Sequence, residues 1–483
     1  MNPSFPKRIG LVLGPLSYAL ILNFFHPAGL SHQGIAVLAV TLWVAIWWIT
    51  EAIPIAVTSM LPVVLFPLSG ALSLSETTVA FGDKYIFLYI GGFILSIAIE
   101  KWNLHKRIAL TIINYIGTNS SKIVLGFMLA TAFLSMWISN TATAVMMLPI
   151  GLAIVKQFED HPDTVKNENQ IFGKALMLAI AYSASIGGIA TLIGTPPNII
   201  FAGVVQKFYN TEITFLQWFQ VGFPLSIILL IITWQYLTKF AFPLDKQAFP
   251  GGKAEIKKQL KTLGKISTEE KWILVVFIFT ALSWMTRSFV LAKLIPGIDD
   301  TIIAMIAAFI LFIIPSKKDI GGQLLHWTEA ERLPWGILLL FGGGLAIAGG
   351  FDSSGLASWI GNQVAVLDHM HLLVLVFIIV LMVNFLTEIT SNLATTAMLL
   401  PVLVPVAAKL EVNPFILMVG ATLAASCAFM LPVATPPNAV VFGSGYLRIP
   451  DMMKTGIFLN LVSIILITIF VYWILPLIWV LNG

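Results

Sequence analysis

Long runs without a charged residue alternate with short basic clusters along most of this chain. A helix needs about 20 apolar residues to cross the hydrocarbon core of a bilayer, and the longest runs have room for more than one crossing. The pattern predicts an all-α polytopic membrane protein with about 11 transmembrane helices plus two re-entrant hairpins. The charge-free runs are 9–50, 52–75, 85–99, 123–155, 175–206, 213–238, 301–316, 333–351, 412–447 and 455–483.

Composition supports a membrane location. Of 483 residues, 58% are hydrophobic and 10% are charged, and the mean hydropathy is +0.93. A soluble protein of this length needs more charged residues for its surface. The net charge of +4 does not indicate nucleic-acid binding, because the cations lie in loops where the positive-inside rule explains them. The apolar run that follows Arg8 has no small-residue cleavage pattern, so residues 1–35 are interpreted as an uncleaved first span.

The basic clusters predict an orientation in a bacterial inner membrane. The densest one extends from Lys239 to Lys271, and we interpret 241–271 as a cytoplasmic linker between two halves. No Lys or Arg occurs over 333–408, so loops in that region are predicted to be external. This alternation makes the N-terminus cytoplasmic and the C-terminus external. The other clusters assigned to the cytoplasm are Lys7/Arg8, Lys101/Lys106/Arg107/Lys122, Lys156/Lys166/Lys174, Lys317/Lys318 and Arg448/Lys454.

An internal repeat relates the two halves. Residues 139–150 (SNTATAVMMLPI) match residues 391–402 (SNLATTAMLLPV) at seven of twelve positions, and the sequence TPPN occurs at both 195–198 and 435–438. Because the charges place equivalent segments on opposite sides, the repeats at 36–240 and 272–483 are predicted to be inverted. Inverted repeats provide two conformations that exchange inside for outside, which is the basis of alternating access. The alternatives are a duplicated structural protein and a channel.

Each Ser-Asn pair lies in an otherwise apolar run, where its hydrogen-bonding groups need partners. Re-entrant hairpins at 121–155 and 370–409, each turning at Ser-Asn, would place these groups beside the free N–H groups of a helix N-terminus. The two Pro-Pro pairs predict broken helices at 174–209 and 413–445, whose unwound carbonyls are free to bind a cation. A single Ser-Asn pair is more often a plain helix cap, and a single Pro-Pro pair more often a kink.

The ligand chemistry follows from what the motifs contain. Neither motif includes Lys or Arg, so an anion would be held by amides, hydroxyls, helix N-termini and bound cations. Hydroxyl, amide and carbonyl oxygens suit sodium, whereas zinc and copper prefer His and Cys. Two equivalent sites predict at least two sodium ions and require no organic cofactor.

The segment WWITEAIPI at 47–55, the two Ser-Asn motifs and the two TPPN motifs resemble the divalent anion–sodium symporter family over nearly the whole chain. The resemblance implies a homodimer in which a transport domain moves against a fixed scaffold in an elevator-type shift. It implies a first sodium site at Ser135, Ser139, Asn140 and Gly194, and a second at Thr387, Ser391, Asn392 and Ala434. The implied substrate-binding residues are Asn140, Thr141, Thr195, Asn392, Thr435 and Pro436.

Three features leave alternatives open. Leu393 replaces the hydroxyl-bearing residue that some similar proteins have after Ser-Asn, so the choice among anions is open. Glu388 is interpreted as a cation second shell, a proton site or a structural partner for backbone donors. His369 and His371 are interpreted as surface residues, and Gly342–Gly344 as a helix-packing segment rather than a phosphate loop.

The favoured function is sodium-driven uptake of C4-dicarboxylates such as succinate, malate and fumarate. The alternatives within transport are sodium-independent dicarboxylate exchange and symport of citrate or sulfate. An intramembrane enzyme would need a constellation such as His/Asp/Glu or Ser/Lys in the membrane, which the sequence does not suggest, and a channel would not need two broken helices.

Overall fold

The computed structural model describes residues 5–116, 119–159, 166–244, 252–318, 322–363 and 370–479. Regular structure in these residues is helical, apart from isolated bridge residues such as the pair Pro315 and Gln323. The predicted all-α fold is therefore confirmed. His369 and the start of the predicted linker, 245–251, lie outside the described residues.

The first half runs from α1 to α12. Local signals start several of its helices: the Asn119 side chain accepts from Lys122 N at the start of α8, and Thr214 and Gln217 form a capping box at the start of α12. The bounds are α1 Phe5–Phe24, α2 His32–Thr50, α3 Ile55–Thr58, α4 Leu61–Ser69, α5 Leu74–Val79, α6 Lys84–Lys101, α7 Leu104–Ile116, α8 Ser120–Ser135, α9 Asn140–Glu159, α10 Lys166–Ile189, α11 Pro196–Tyr209 and α12 Phe215–Tyr236.

A basic helix, α13 (Gly252–Thr262), lies within the predicted linker and packs against α7 and α9. The second half follows it. Its helices are α14 Thr268–Thr286, α15 Ala292–Leu294, α16 Asp300–Ile313, α17 Trp327–Ala330, α18 Trp335–Ser353, α19 Leu356–Gln363, α20 Leu372–Leu386, α21 Asn392–Lys409, α22 Pro414–Ala425, α23 Pro436–Phe442, α24 Ile449–Ile469 and α25 Leu475–Ile478. Short π-helical stretches continue α12, α14 and α24, at Leu237–Ala241, Arg287–Leu291 and Phe470–Ile474.

Nine helices among the described residues are long and apolar enough to cross a membrane, and six shorter apolar helices accompany them. The number is below the predicted 11 because some of the apolar runs outside the hairpins form shorter helices, among them Ile55–Ser69, Asp300–Ile313 and Pro414–Ala425. The chain is a multi-pass membrane protein.

The centre of the molecule is occupied by the helices that precede the two TPPN motifs. In the most apolar stretch of Asn169–Ile189 in α10, 89% of the residues are buried, whereas the corresponding share for Phe5–Phe24 of α1 is 11%. Residues Phe415 to Ala425 of α22 are all buried. Helices as apolar as these but buried on all sides belong to the protein interior, so both motifs emerge from the core.

Glycines allow helices to approach closely at equivalent points of the two halves. A Cβ on Gly222 of α12 would overlap the carbonyl oxygen of Ile189, and a Cβ on Gly456 of α24 would overlap that of Phe429. The predicted packing segment behaves in the same way, because a Cβ on Gly343 would overlap the carbonyl oxygen of Ser59. The packing interpretation of Gly342–Gly344 is thus confirmed.

Candidate functional site

The first Ser-Asn motif forms the turn between α8 and α9. Helix α8 ends at Ser135, four residues form the turn, and α9 begins at Asn140. The Ser135 hydroxyl lies 2.6 Å from the carbonyl oxygen of Ala184, inside α10, and 2.5 Å from Asn140 Oδ1. The turn therefore places the Ser135 and Asn140 side chains, one on each side of it, next to the backbone of the neighbouring core helix.

Asn140 stands among acceptors. In one orientation of its amide, Nδ2 donates to the carbonyl oxygens of Ala184 and Gly194, each at 3.2 Å, and lies 2.5 Å from Ser135 Oγ. In the other orientation Oδ1 takes that position, and four oxygen-bearing groups converge. A convergence of oxygens is stable when a hard cation lies among them, so this place fits sodium.

The broken helix is braced around this cluster. A Cβ on Gly188 would lie 2.6 Å from Asn140 Oδ1, so any larger residue there would displace the amide. The buried Asn198 side chain of the first TPPN motif donates to the carbonyl oxygens of Gly188 at 3.2 Å and Thr191 at 2.7 Å. These bonds hold the unwound stretch 190–195 in a loop.

The second Ser-Asn motif repeats the arrangement between α20 and α21. Thr387 takes the place of Ser135, and its Oγ1 lies 2.7 Å from Asn392 Oδ1 and 3.0 Å from the carbonyl oxygen of Ala425. Ala425 is the last residue of the core helix α22, and Ala184 lies inside the core helix α10. The structure thus brings together a hydroxyl, an amide and a core-helix carbonyl in both halves.

The second brace also matches the first. Asn438 Nδ2 donates to the carbonyl oxygens of Ala428 at 3.2 Å and Leu431 at 3.0 Å, which are 10 and 7 residues before it. Asn198 donates to residues at the same two separations. The Oδ1 atoms of Asn198 and Asn438 are both buried without a hydrogen-bond partner in the structure. The two halves therefore share these side-chain hydrogen bonds as well as the sequence motif.

The implied substrate residues differ in exposure. Asn140, Thr141 and Asn392 are half-buried, whereas Thr195 and Thr435 are each 3% exposed. Both threonines precede a helix that begins with Pro-Pro, at α11 and α23. The two prolines supply no N–H group, and the first N–H groups of these helices, those of Asn198 and Asn438, donate to Thr195 O and Thr435 Oγ1. What each helix start offers an anion is the positive end of the helix dipole.

The remaining implied residues lie in the same turns and loops. Ser139 and Ser391 are half-buried, and Ser391 precedes α21 without making a side-chain cap bond, unlike an ordinary N-cap serine. Ala434 lies in the loop 426–435 at the position of Gly194, and both donate their N–H three residues back, to Leu431 and Thr191. Pro436 is exposed.

A cavity of about 680 Å³ opens beside the first motif. Its walls are the ends of α6 and α7, the side of α9 that follows Thr141, and α13. It therefore lies on the side of the protein that carries the Lys101–Arg107 cluster, which the sequence predicts to be cytoplasmic. The lining residues are Glu100, Asn103, His105, Lys106, Ala142, Val145, Met146, Pro149, Ile150 and Gln259.

Leu393 does not line this cavity. It is 8% exposed and borders a narrow apolar gap together with Pro196 of the first TPPN motif. Tyr89 of α6 and Phe341 of α18 also line this gap. The residue that departs from Ser-Asn-Thr thus packs against neighbouring helices in this conformation.

Glu388 makes the contacts of a structural partner, one of its three interpretations. It is 3% exposed, and its carboxylate accepts hydrogen bonds from the backbone N–H groups of Phe429, Met430 and Leu431 at 2.8 to 3.0 Å. Asn460 Nδ2 adds a fourth bond at 2.7 Å. The carboxylate therefore faces the unwound stretch after α22.

Ion pairs join helices near both ends of the bundle. At the predicted outer end, Arg287 binds Glu212 with both terminal nitrogens, at 3.0 and 2.8 Å, and Lys84 approaches Glu212 at 3.3 Å. Burial raises the pKa of Glu212, but these cations outweigh burial and hold the pKa below its usual value. At the opposite end, Arg107 of α7 binds Glu270 at 2.7 Å.

Sequence reasoning missed three contributors to the sites: the carbonyls of Ala184 and Ala425, and the space provided by Gly188. A carbonyl has no side-chain signature, so only the repeat itself offered a clue. His371, one of two histidines in an apparent metal-like pair, accepts from Leu373 N at the start of α20. The described residues contain no group of three His, Cys, Asp or Glu side chains that would hold a metal ion.

The fold and the paired sites define a secondary transporter, and comparison with known proteins gives its family. The model of the sodium:sulfate symporter transmembrane region matches residues 8–480. The chain belongs to this family of transporters, which confirms the resemblance drawn from its motifs and the assignment to transport rather than enzymatic function.

Particular relatives are similar over almost their whole length. The chain is 48% identical to the sodium-dependent dicarboxylate transporter SdcS of Staphylococcus saprophyticus over 475 residues, covering 97% of this chain and 92% of the relative. It is 50% identical to SdcS of Staphylococcus aureus strain MRSA252 over 477 residues, covering 98% and 92%.

Two solved transporters share the fold. Neisseria gonorrhoeae MtrF and Alcanivorax borkumensis YdaH each superpose with a TM-score of 0.60 at 13% identity. The match covers 97% of this chain in both cases, and 96% and 99% of the respective structures. At this level of identity the likeness concerns architecture alone.

Proposed function

We propose that this protein couples sodium entry to the uptake of C4-dicarboxylates such as succinate, malate and fumarate. The observation that carries the proposal is the duplicated cluster of hydroxyl, amide and carbonyl oxygens at Ser135–Asn140–Ala184 and Thr387–Asn392–Ala425. Such oxygens suit sodium, and two clusters suit two ions. The names of the staphylococcal relatives support both the cation and the anion.

The anion would bind between the two cation sites. Neither Ser-Asn turn includes a cation of its own, so the sodium ions and the N-termini of α11 and α23 would offset the charge of two carboxylates. Asn140 and Asn392 would each contact sodium and substrate, with Thr141, Thr195, Thr435 and Pro436 completing the pocket. This sharing makes binding of the anion depend on binding of sodium.

Transport would follow by alternating access between inverted repeats, as an elevator-type shift in a homodimer. The cavity beside α9 lies on the side predicted to be cytoplasmic and supports an inward-facing conformation. The proposed setting is a bacterial inner membrane, with the N-terminus cytoplasmic and the C-terminus external.

Purified protein in proteoliposomes tests the coupling. An inward sodium gradient is expected to drive accumulation of labelled succinate, and choline in place of sodium is expected to abolish it. Equal uptake in choline, without internal dicarboxylate, would overturn symport, and uptake restricted to vesicles preloaded with dicarboxylate would instead indicate exchange.

Competition and mutation complete the test. Excess malate or fumarate is expected to block succinate uptake, whereas stronger inhibition by citrate or sulfate would reassign the anion. Asn140→Ala and Asn392→Ala are each expected to abolish uptake while the protein remains monodisperse. Normal transport by either variant would remove that turn from the site.

A further inference from the structure

The two unwound stretches begin at different points. Helix α10 continues to Ile189, nine residues before Asn198, whereas α22 stops at Ala425, thirteen residues before Asn438. Because the two asparagines make equivalent bonds, this register comparison is direct. The second half therefore loses four residues of helix that the first half keeps.

Glu388 binds the N–H groups just beyond the end of α22, where Ser426 and Cys427 already donate only three residues back. In a continuing helix the N–H groups of Phe429, Met430 and Leu431 would donate to the carbonyls four residues earlier, at 425, 426 and 427. Here all three N–H groups donate to the Glu388 carboxylate instead. The next residue, Pro432, has no N–H with which to resume the helix.

The carbonyls released in this way have new partners. That of Ala425 accepts from Thr387 Oγ1 at 3.0 Å, which is the second candidate cation site. That of Cys427 accepts from Asn384 Nδ2 at 2.7 Å. The carboxylate thus occupies N–H groups on one side of the stretch and leaves carbonyls available on the other.

The first half uses a different contact at the same place. Met136 occupies the position of Glu388, directly after the residue that supplies the site hydroxyl. Its carbonyl oxygen accepts from the side chain of Thr191, the residue equivalent to Leu431, at 2.5 Å. No carboxylate enters, and the site carbonyl of Ala184 lies inside the helix.

We infer that Glu388 is a positioning residue for the second sodium site: its carboxylate holds residues 429–431 unwound so that the Ala425 carbonyl faces Thr387 and Asn392. This inference rests on the proposed function, because it assumes that sodium binds there. The carboxylate acts through the backbone and is itself saturated by four N–H donors. The two sodium sites are therefore built differently, and only the second depends on an acid.

Amide hydrogen exchange of the purified protein, measured against sodium concentration with choline as the balancing cation, reads the two stretches separately. In the wild type, sodium is expected to protect both 190–195 and 426–435. In Glu388→Gln, which replaces one acceptor oxygen with a donor, amides 429–431 are expected to exchange faster without sodium. The sodium concentration that protects 426–435 is expected to rise about tenfold or more, as for loss of a metal-supporting group, while that for 190–195 stays within about twofold.

A double variant that exchanges the carboxylate and the amide between positions 388 and 460 tests whether sodium protection can be restored. Asn460 Oδ1 already accepts from Phe429 N at 3.2 Å, and its amide contacts Glu388. The double variant Glu388→Gln/Asn460→Asp returns a carboxylate to the same N–H group and is expected to recover most of the sodium protection of 426–435. If the single variant does not fold, the double variant alone decides: recovery supports the inference and absence of protection overturns it.

The remaining outcomes overturn the inference in distinguishable ways. Unchanged sodium protection of 426–435 in Glu388→Gln would show that the carboxylate does not build the site. Equal loss in both stretches would show a general structural role. A wild-type protein that gains no protection from sodium in either stretch would overturn the proposed sodium coupling together with this inference.

Discussion

Two neighbouring glycines in α10 offer a sharp separation between the fold and the site. A Cβ on Gly188 would lie 2.6 Å from Asn140 Oδ1, the end of a side chain, whereas a Cβ on Gly187 would overlap the backbone carbonyl of Ala132 in α8. An ordinary contact needs at least 3.4 Å, so in Gly188→Ala the amide must withdraw by about 0.8 Å. Asn140 can move in this way without separating the helices, and the cost should fall on the cation site.

Gly188→Ala is expected to preserve stability and weaken sodium binding, whereas Gly187→Ala is expected to lower stability. Replacing glycine by alanine inside a helix favours the helix by about 1 kcal/mol, so Gly188→Ala should unfold at the wild-type temperature or slightly above it. Displacing a ligand of the cation should raise the sodium concentration for half-maximal uptake about 10- to 100-fold, equivalent to about 1.4–2.7 kcal/mol. In Gly187→Ala the strain has no side chain to absorb it, and a stability loss of about 1–3 kcal/mol is expected.

The assay combines thermal unfolding with sodium-dependent succinate uptake in proteoliposomes. Gly92→Ala is the matched control, because its Cβ would meet Ile193 at an ordinary 3.4 Å. It should leave sodium dependence unchanged. Wild-type sodium dependence in Gly188→Ala would refute the placement of Asn140 in a cation site, and so would a destabilisation as large as that of Gly187→Ala.

Three further predictions concern named polar groups. Thr387→Ala should raise the sodium requirement of uptake about tenfold, whereas Thr387→Ser, which keeps the hydroxyl, should stay close to wild type; equal effects of both would assign the residue to packing. Arg107→Ala should lower stability by about 1–3 kcal/mol in thermal or denaturant unfolding because the buried Glu270 loses its guanidinium partner and still accepts from Ser267 N, and Arg107→Lys should recover only part of this loss. The folded-state pKa of Glu212 lies below its unfolded value of 4.5, so the stabilisation from its pair with Arg287 is present above pH 4.5 and is lost as pH falls through the folded pKa; Glu212→Gln should remove this acid-side loss from the pH profile of the unfolding temperature.

Much of the architecture could be predicted because membrane insertion and duplication leave strong signals. Charge-free runs mark apolar helices, and paired motifs mark the Ser-Asn turns and the ends of α10 and α22. The count of full spans was less predictable, since a run such as 412–447 contains α22, an unwound loop and α23, and hydropathy does not report backbone conformation. The same limit hid the carbonyls of Ala184 and Ala425, which any residue at those positions would supply.

The side chains around the Ala184 and Ala425 carbonyls differ between the two halves more than the repeated motifs predict. The repeated motifs form equivalent candidate sites, yet the residues that support these sites differ. The counterpart of Gly188 is Ala428, and the counterpart of Met136 is Glu388. These two differences belong together. Where α10 continues, a Cβ at residue 188 would press on the Asn140 amide; at the equivalent place in the second half α22 has already ended at Ala425, and the residue is Ala428. The two copies of a duplicated site can therefore keep the same types of ligand while different neighbouring residues expose the backbone carbonyl in each copy. The residues that differ between the copies indicate which contacts do this.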